Sequence, residues 1–429
     1  MSVQTLSGPT TPATSKPVSS ISSEFHVAFI VSWAICLLFY FLQYSVRSAP
    51  SVMIPELTQT FGLTTLGLSS LVGLYYYTYS LFALVSGASL DRWGAKYTIP
   101  IGIFFLALGL AMFGFGALWM AYVGRLLQGA GAAFAFVGAV YLATHGFPAR
   151  YLATAIGFTQ MMGMLGGSAG QFGVAPLLRS GLIGWQQFWF YSGAIALVIM
   201  VAMLIVTPRR EERTRPGSVW TMFAPYKTVL SNPQSYLCGF SSGLLFLPTT
   251  IGTMIWGVSF LQQGWGIEHA EAVNRASMIP LGWVVGAPVL GYIADHFGRR
   301  KPVLFAGIAI MVVTGLLAIY LPANSMPPYL IGFLFGFGSG AAMIPYSIIK
   351  EVNPDEVKGS ATGAINFLVF GMSAFGAPAA GWLLQKLAGG GALTLGIFDK
   401  GANAAIVCII VGAILALFLK ETGFAARKA

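Results

Sequence analysis

Twelve separate stretches of this chain run apolar for about twenty residues each, and that pattern constrains the fold more than any other feature. A helix rising ~1.5 Å per residue needs ~20 such residues to cross a hydrocarbon layer ~30 Å thick. The stretches cover approximately 26–53, 64–89, 97–118, 121–145, 151–178, 187–207, 234–260, 271–294, 302–321, 328–350, 359–386 and 402–420. In lipid every backbone polar group must be satisfied within the protein, so a chain of this pattern is an all-α membrane protein with twelve transmembrane helices. Only 8% of its residues are charged, against ~25% in soluble domains. The net charge of +10 is dealt out between apolar stretches and not gathered on one soluble face, so the pattern argues against nucleic acid as a partner.

Residues 1–24 are rich in Ser, Thr and Pro and lack the apolar core of a signal peptide, which predicts a disordered tail. Two six-helix bundles, 25–207 and 234–420, follow. They are divided by a polar linker at 208–233 that carries Arg209, Arg210, Glu211, Glu212, Arg213 and Arg215, and the chain closes with a short tail at 421–429. Lys and Arg accumulate on the cytoplasmic side of a membrane. Placing the N-terminus inside puts seventeen of them inside and four outside, namely Arg179, Arg275, Lys386 and Lys400. Both termini are therefore expected in the cytoplasm. Short loops and the absence of an Asn-x-Ser/Thr sequon fit a bacterial inner membrane, with the chain a monomer in the lipid bilayer. Cys36, Cys238 and Cys408 are scattered through apolar stretches without paired spacing, so neither disulfides nor metal are expected, and no motif implies a cofactor.

The halves are copies of one plan. Gly87-Ala-Ser-Leu-Asp91-Arg92-Trp93-Gly94-Ala95-Lys96 follows the second stretch, and Gly291-Tyr-Ile-Ala-Asp295-His-Phe-Gly298-Arg299-Arg300-Lys301 follows the eighth. A similar offset relates Tyr122–Ala133 to Tyr329–Ala342. Parallel repeats of this kind place a substrate site between the halves at the bilayer midplane. With its Gly-x-x-x-Asp-Arg-x-Gly-x-Lys signature and partial second copy, the chain resembles the major facilitator superfamily from residue 25 to 420. The resemblance implies a conformational latch made of Gly87, Asp91, Arg92, Gly94 and Lys96, with Asp295, Gly298 and Arg299 in the second copy. It also implies that Asp91 faces the start of helix eleven near Lys358–Gly359, and that Asp295 faces helix five near Arg150–Tyr151.

Two ionisable residues lie deep within the stretches, Arg47 in the first and Arg125 in the fourth, at comparable depths; the acidic residues are confined to tails, loops and helix ends. A charge inside the membrane is costly and marks a functional site by default. Without an internal acid, these arginines call for an anion from outside, and guanidinium binds carboxylate or phosphate in a bidentate fork. Alternatively, Arg47 snorkels to the surface or Arg125 bonds only backbone carbonyls. The counterpart positions in helices seven and ten carry no charge, so the deep positive charge belongs to the first half alone.

Tyr44-Ser45-Val46-Arg47, Tyr79, and Arg125 in Arg-x-x-Gln-Gly resemble the anion:cation symporter branch of the superfamily, which handles organic anions. That resemblance implies substrate roles for Arg47, Tyr79 and Arg125. Val46 and Ala132 stand where members of the branch carry proton-binding acids, which leaves exchange of anions, facilitated diffusion, and protons carried on the substrate all open. Tyr75 shares a helix face with Tyr79, Trp283 occupies the matching position in the second half, Gln43 lies one turn before Arg47, and Asn366 is an isolated amide in helix eleven. Each is a candidate for substrate contact or for packing between helices. The expected function is secondary transport of a small organic anion, most simply a carboxylate, with protons or a counter-anion as further partners. An amino-acid or small-peptide carrier is the alternative, with drug efflux and a transport-dead membrane sensor behind it. An enzyme would need paired acids or a Ser/His constellation inside the membrane, and neither is visible.

Overall fold

The structure is a computed structural model, and it describes residues 26–147, 149–209, 221, 223–321, 327–354 and 357–423. The first half contains α1 (Val27–Ser48), α2 (Thr65–Trp93), α3 (Ala95–Gly114), α4 (Leu118–Gly146), α5 (Ala149–Phe172) and α6 (Trp185–Val206). The second contains α7 (Pro233–Leu247), α8 (His269–Phe297), α9 (Lys301–Tyr320), α10 (Pro328–Ser339), α11 (Lys358–Ala388) and α12 (Leu395–Leu417).

Eleven helices among the described residues are long and apolar enough to cross a membrane. The segment expected at 151–178 is helical as α5 but stops at Gly173 and resumes over Val174–Arg179. Its polar residues Thr159, Gln160 and Gln171 are all buried against protein. The twelfth helix begins at Leu395, earlier than the expected 402. Asp399 and Lys400 interrupt the apolar run there without interrupting the helix. The first loop holds an unexpected helix, Ile54–Phe61, which ends on Gly62 in the left-handed conformation.

Prolines mark where helices change gauge. Pro50 lies in a tighter turn, Ala49–Val52, that extends α1. Pro248 has no N–H to give the i→i−4 ladder, and α7 widens from there into i→i+5 turns through Gly257. α10 tightens at Gly340–Met343 before continuing as Ile344–Glu351, with Pro345 in its first turn. Pro280, Pro288 and Pro378 lie within continuous helices.

Each half packs chiefly within itself: α3 on α4, α2 on α4, α3 on α6 and α1 on α5 in the first, α8 on α10, α7 on α11 and α9 on α10 in the second. Across the halves, α2 lies along α11 and α5 against α8. These two pairs exchange under the repeat, since α8 corresponds to α2 and α11 to α5. The seam is held by hydroxyls donating to carbonyls. Ser69 Oγ donates to Ala377 O; Ser80 Oγ donates to Phe367 O at 2.6 Å and Ser168 Oγ to Ser277 O at 2.9 Å. Tyr76 Oη also reaches the widened segment at Thr250 O, 3.2 Å away.

The signature loops are built alike. Gly94 joins α2 to α3 at φ 74°, a conformation that side chains disfavour, and Gly298 ends α8 at φ 64°. Lys96 Nζ donates to the last carbonyls of α6, Leu204 O and Thr207 O, both at 2.9 Å. Lys301 Nζ does the same for α12, at Leu417 O, 2.8 Å away. Each loop lysine thereby satisfies carbonyls that the end of a helix leaves bare. Gly87 lies against the Tyr226 hydroxyl, which comes from the connecting segment's helix Ala224–Leu230, donates to Leu84 O at 3.2 Å, and also touches Gly363 of α11. Arg92 sits near the Trp93 ring, at 5.9 Å. The side chains of Asp91, Arg150, Tyr151 and Lys358 and the burial of Gly359, with residues 1–25, 210–220 and 424–429, lie outside what the structure describes. Asp295, expected to face helix five, accepts from Arg300 Nη1 of its own loop. Arg300 also pairs with Glu351 at 2.8 Å. Burial opposes the Arg300 charge, but Glu351 and Asp295 outweigh it and hold its pKa above the ordinary value. Arg299 is exposed.

Candidate functional site

A stripe of glycines sets the site's first wall. Gly163, Gly166 and Gly170 of α5 meet Tyr40, Phe41 and Ser45 of α1 so closely that side chains there would overlap the α1 backbone or rings. Small residues allow such approach in lipid. α1 is thereby pressed into the protein, and its C-terminal turns, from Leu42 to Ser48, are buried throughout.

Arg47 stands in those turns, 1% exposed. None of its three guanidinium nitrogens has a hydrogen-bond partner. Five rings enclose it instead. The Tyr44 ring centroid is 3.7 Å from Cζ, followed by Phe370 at 5.3 Å, Tyr79 at 5.6 Å, Tyr75 at 5.7 Å and Tyr76 at 5.9 Å. Desolvating an ion costs several kcal/mol even after relaxation, whereas a desolvated cation–π contact returns about 2 kcal/mol. Arginine, with its high pKa, has no escape through losing its proton. The rings thus soften the cost and leave the hydrogen-bonding demand unmet.

Arg125 is buried in a different way. Its Nη1 donates to Gln128 Oε1 at 2.8 Å and its Nη2 to Val72 O at 3.0 Å, and only Nε lacks a partner. Gln128 is itself tied to Gly109 O at 3.0 Å. Arg125 Cζ lies 5.1 Å from the Tyr75 ring, so the two arginines share that tyrosine as a neighbour. Neither of them takes part in the ion pairs Arg179–Glu268, Arg275–Glu271, Arg300–Asp295 and Arg300–Glu351.

The remaining sequence candidates divide in two. Tyr75, Tyr79 and Gln43 join Arg47: Tyr75 Oη donates to Gln43 Oε1 at 2.6 Å, the Tyr75 and Tyr79 rings stack, and Gln43 Nε2 is buried without a partner. Asn366 lies one turn before Phe370 on α11. It accepts from Tyr346 Oη at 2.7 Å while its Nδ2 goes unpaired. Trp283 does not touch Arg47. Its indole donates to Thr249 Oγ1 at 3.0 Å, and its ring packs on Phe246, which in turn packs on Phe370. Tyr44, Tyr76, Tyr346 and Phe370 belong to the cluster but were not among the sequence candidates. The Tyr75-Tyr76-Tyr77-Thr-Tyr79 run was a legible signal for Tyr76; nothing in the sequence distinguishes Phe370 from the other apolar residues of α11.

Unspent polar capacity in the cluster is therefore mostly donor capacity: Arg47, Gln43 Nε2 and Asn366 Nδ2, contributed by both halves. Such a set suits an acceptor-rich ligand. A separate cavity of about 440 Å³ opens inside the second half between Trp256, Arg275, Ile279, Phe335, Leu384 and Phe398. Its walls are mainly apolar and include none of the residues around Arg47. No cluster of His, Cys, Asp or Glu among the described residues could hold a metal ion.

This architecture is shared with known proteins. A bacterial homologue of the human lysosomal transporter Spinster, solved in an inward-facing and occupied conformation, superposes with a TM-score of 0.74 at 15% identity, over 92% of this chain and 97% of that one. In sequence, the chain is 26% identical to the cis,cis-muconate transport protein of Acinetobacter baylyi, over 64% of this chain and 66% of that protein, just under two thirds of its length. It is 25% identical to the membrane sensor protein UhpC of Escherichia coli, over 83% of this chain and 84% of that one. The sequence profile of the Major Facilitator Superfamily matches residues 36–378 and, again, 244–426. With that profile spanning both halves, the chain belongs to the Major Facilitator Superfamily and is a multi-pass membrane protein.

Proposed function

We propose that this protein is a transporter that carries a small organic anion bearing a carboxylate, by alternating access between the bundles 25–207 and 234–420. The observation that carries the proposal is the buried Arg47 guanidinium, whose three nitrogens have no partner. The carboxylate would take the Arg47 fork, with Gln43 and Tyr79 beside it and Asn366 reaching it from the other half. Arg125 would act from behind Tyr75, and Trp283 through Phe246. The likeness to a muconate transport protein supports an organic anion. The excess of Lys and Arg at the signature end supports placing both termini in the cytoplasm of a bacterial cell, with the chain in its inner membrane. The two signature loops, with Gly87, Asp91, Arg92, Gly94 and Lys96 in the first and Asp295, Gly298 and Arg299 in the second, would serve as the latch.

A thermal-shift titration of the purified protein against acetate, benzoate, succinate, cis,cis-muconate and gluconate tests this proposal. At least one should stabilise the wild type, and Arg47→Ala should abolish the shift while the protein remains monodisperse. An unchanged affinity in Arg47→Ala would sink the assignment. The likeness to UhpC favours one other reading, a sensor that binds such an anion without moving it. Flux in proteoliposomes separates the two.

A further inference from the structure

We infer that the carrier is an obligatory anion exchanger, returning across the membrane only with an anion on Arg47. The inference rests on the proposal that Arg47 is the anion site, and it concerns what happens when that site is empty. Alternating access requires the centre to close between its two openings. In the arrangement seen here the Arg47 side chain is 1% exposed, and none of its three nitrogens has an acceptor. While the site is open, water satisfies the guanidinium at little cost. Closing strips that water away, and the cost falls on the empty carrier alone, because a bound carboxylate fills the vacant positions and cancels the charge.

Other carriers of charge in the cluster do not relieve this. The rings within 6 Å of Cζ are four phenols and one phenyl, and none of them is a carboxylate. They offer cation–π attraction without a counter-charge. Val46 and Ala132, which the resemblance aligns with proton-binding acids, carry no acid that could swing onto Arg47 when substrate leaves. Among the described residues the ion-paired carboxylates, Glu268, Glu271, Asp295 and Glu351, are all committed to Arg179, Arg275 or Arg300. Without an internal counter-ion the empty carrier meets a barrier that the loaded carrier does not.

The test uses proteoliposomes of the full chain, with potassium and valinomycin clamping the voltage so that charge build-up does not limit net flux. Uptake of each carbon-14-labelled acid of the panel is compared between empty liposomes and liposomes preloaded with the same unlabelled acid. For any acid that binds, exchange should exceed net uptake by about 10- to 100-fold. Equal rates for an acid that binds overturn the inference and leave the anion site standing. If no acid of the panel shifts the melting temperature, the anion-site proposal falls and exchange falls with it. A second variant gives Arg47 its own counter-ion. Tyr44→Glu places a carboxylate one helical turn away on the same face, and it should raise net uptake to within about threefold of exchange while weakening binding. If that variant folds and binds weakly but still moves acid only by exchange, the unpaired charge is not what blocks the empty carrier.

Discussion

Arg47 and Arg125 carry the same charge at similar burial, yet their surroundings predict opposite responses to removal. Arg125 holds Gln128 Oε1 and adds a second hydrogen bond to the helical carbonyl of Val72, so Arg125→Leu would orphan one buried acceptor and weaken the bonding of another, at about 1–3 kcal/mol. Arg47 holds no acceptor. Replacing an ion that the fold does not satisfy with an apolar side chain stabilises by up to ~1–4 kcal/mol, less the ~2 kcal/mol of cation–π attraction forfeited. The expected outcome in ligand-free detergent solution is that Arg47→Leu matches or exceeds the wild-type melting temperature while Arg125→Leu falls below it. A drop for Arg47→Leu as large as for Arg125→Leu would mean that Arg47 is a structural residue. Both arginines were legible in the sequence as rare deep charges, but their difference was not. It depends on Val72 of α2 reaching Arg125 and on Phe370 of α11 reaching Arg47, contacts between segments far apart in the chain, on which local pattern is silent.

At the scale of elements, the repeat tells structural roles apart from one-sided ones. Lys96 and Lys301 occupy equivalent loops and cap equivalent helices, α6 and α12. Duplication of that contact argues that the signature lysine supports its own half in addition to any part in the latch. Lys96→Met should lower stability by about 1 kcal/mol, read as a small fall in melting temperature, and an acid that binds the wild type should bind it unchanged. A loss of binding would make the loop part of the site. Helix existence was readable from apolar length, and helix ends were not where a charge falls inside a helix: Asp399 and Lys400 hid the start of α12. The gauge changes at Pro50, Pro248 and Pro345 coincide with prolines that the sequence marks, whereas Pro280, Pro288 and Pro378 sit in unbroken helices. In membrane helices a proline's missing N–H can be compensated by neighbours, and its presence alone does not say which case holds.

For the whole molecule, the sequence's clearest message was the doubled plan, and the observed pairing of α2 with α11 and α5 with α8 is what such a doubling requires. The expected orientation can be checked from outside. Phe297, at the signature end, is 68% exposed, and Gln59 is exposed at the opposite end, in the first loop. In right-side-out vesicles Gln59→Cys should react with a membrane-impermeant maleimide, and Phe297→Cys only after permeabilisation; the reverse pattern would invert the topology. Tyr226 adds a consequence that neither the repeat nor the charges convey. It comes from the connector between the halves, yet its phenol is seated between Gly87 of one half and Gly363 of the other, with its hydroxyl on Leu84 O. If the halves part at that end, the ring must give up its packing against one glycine or the other. A residue outside the Arg47 cluster thereby touches both bundles, and the tether that joins them also fills the space between them.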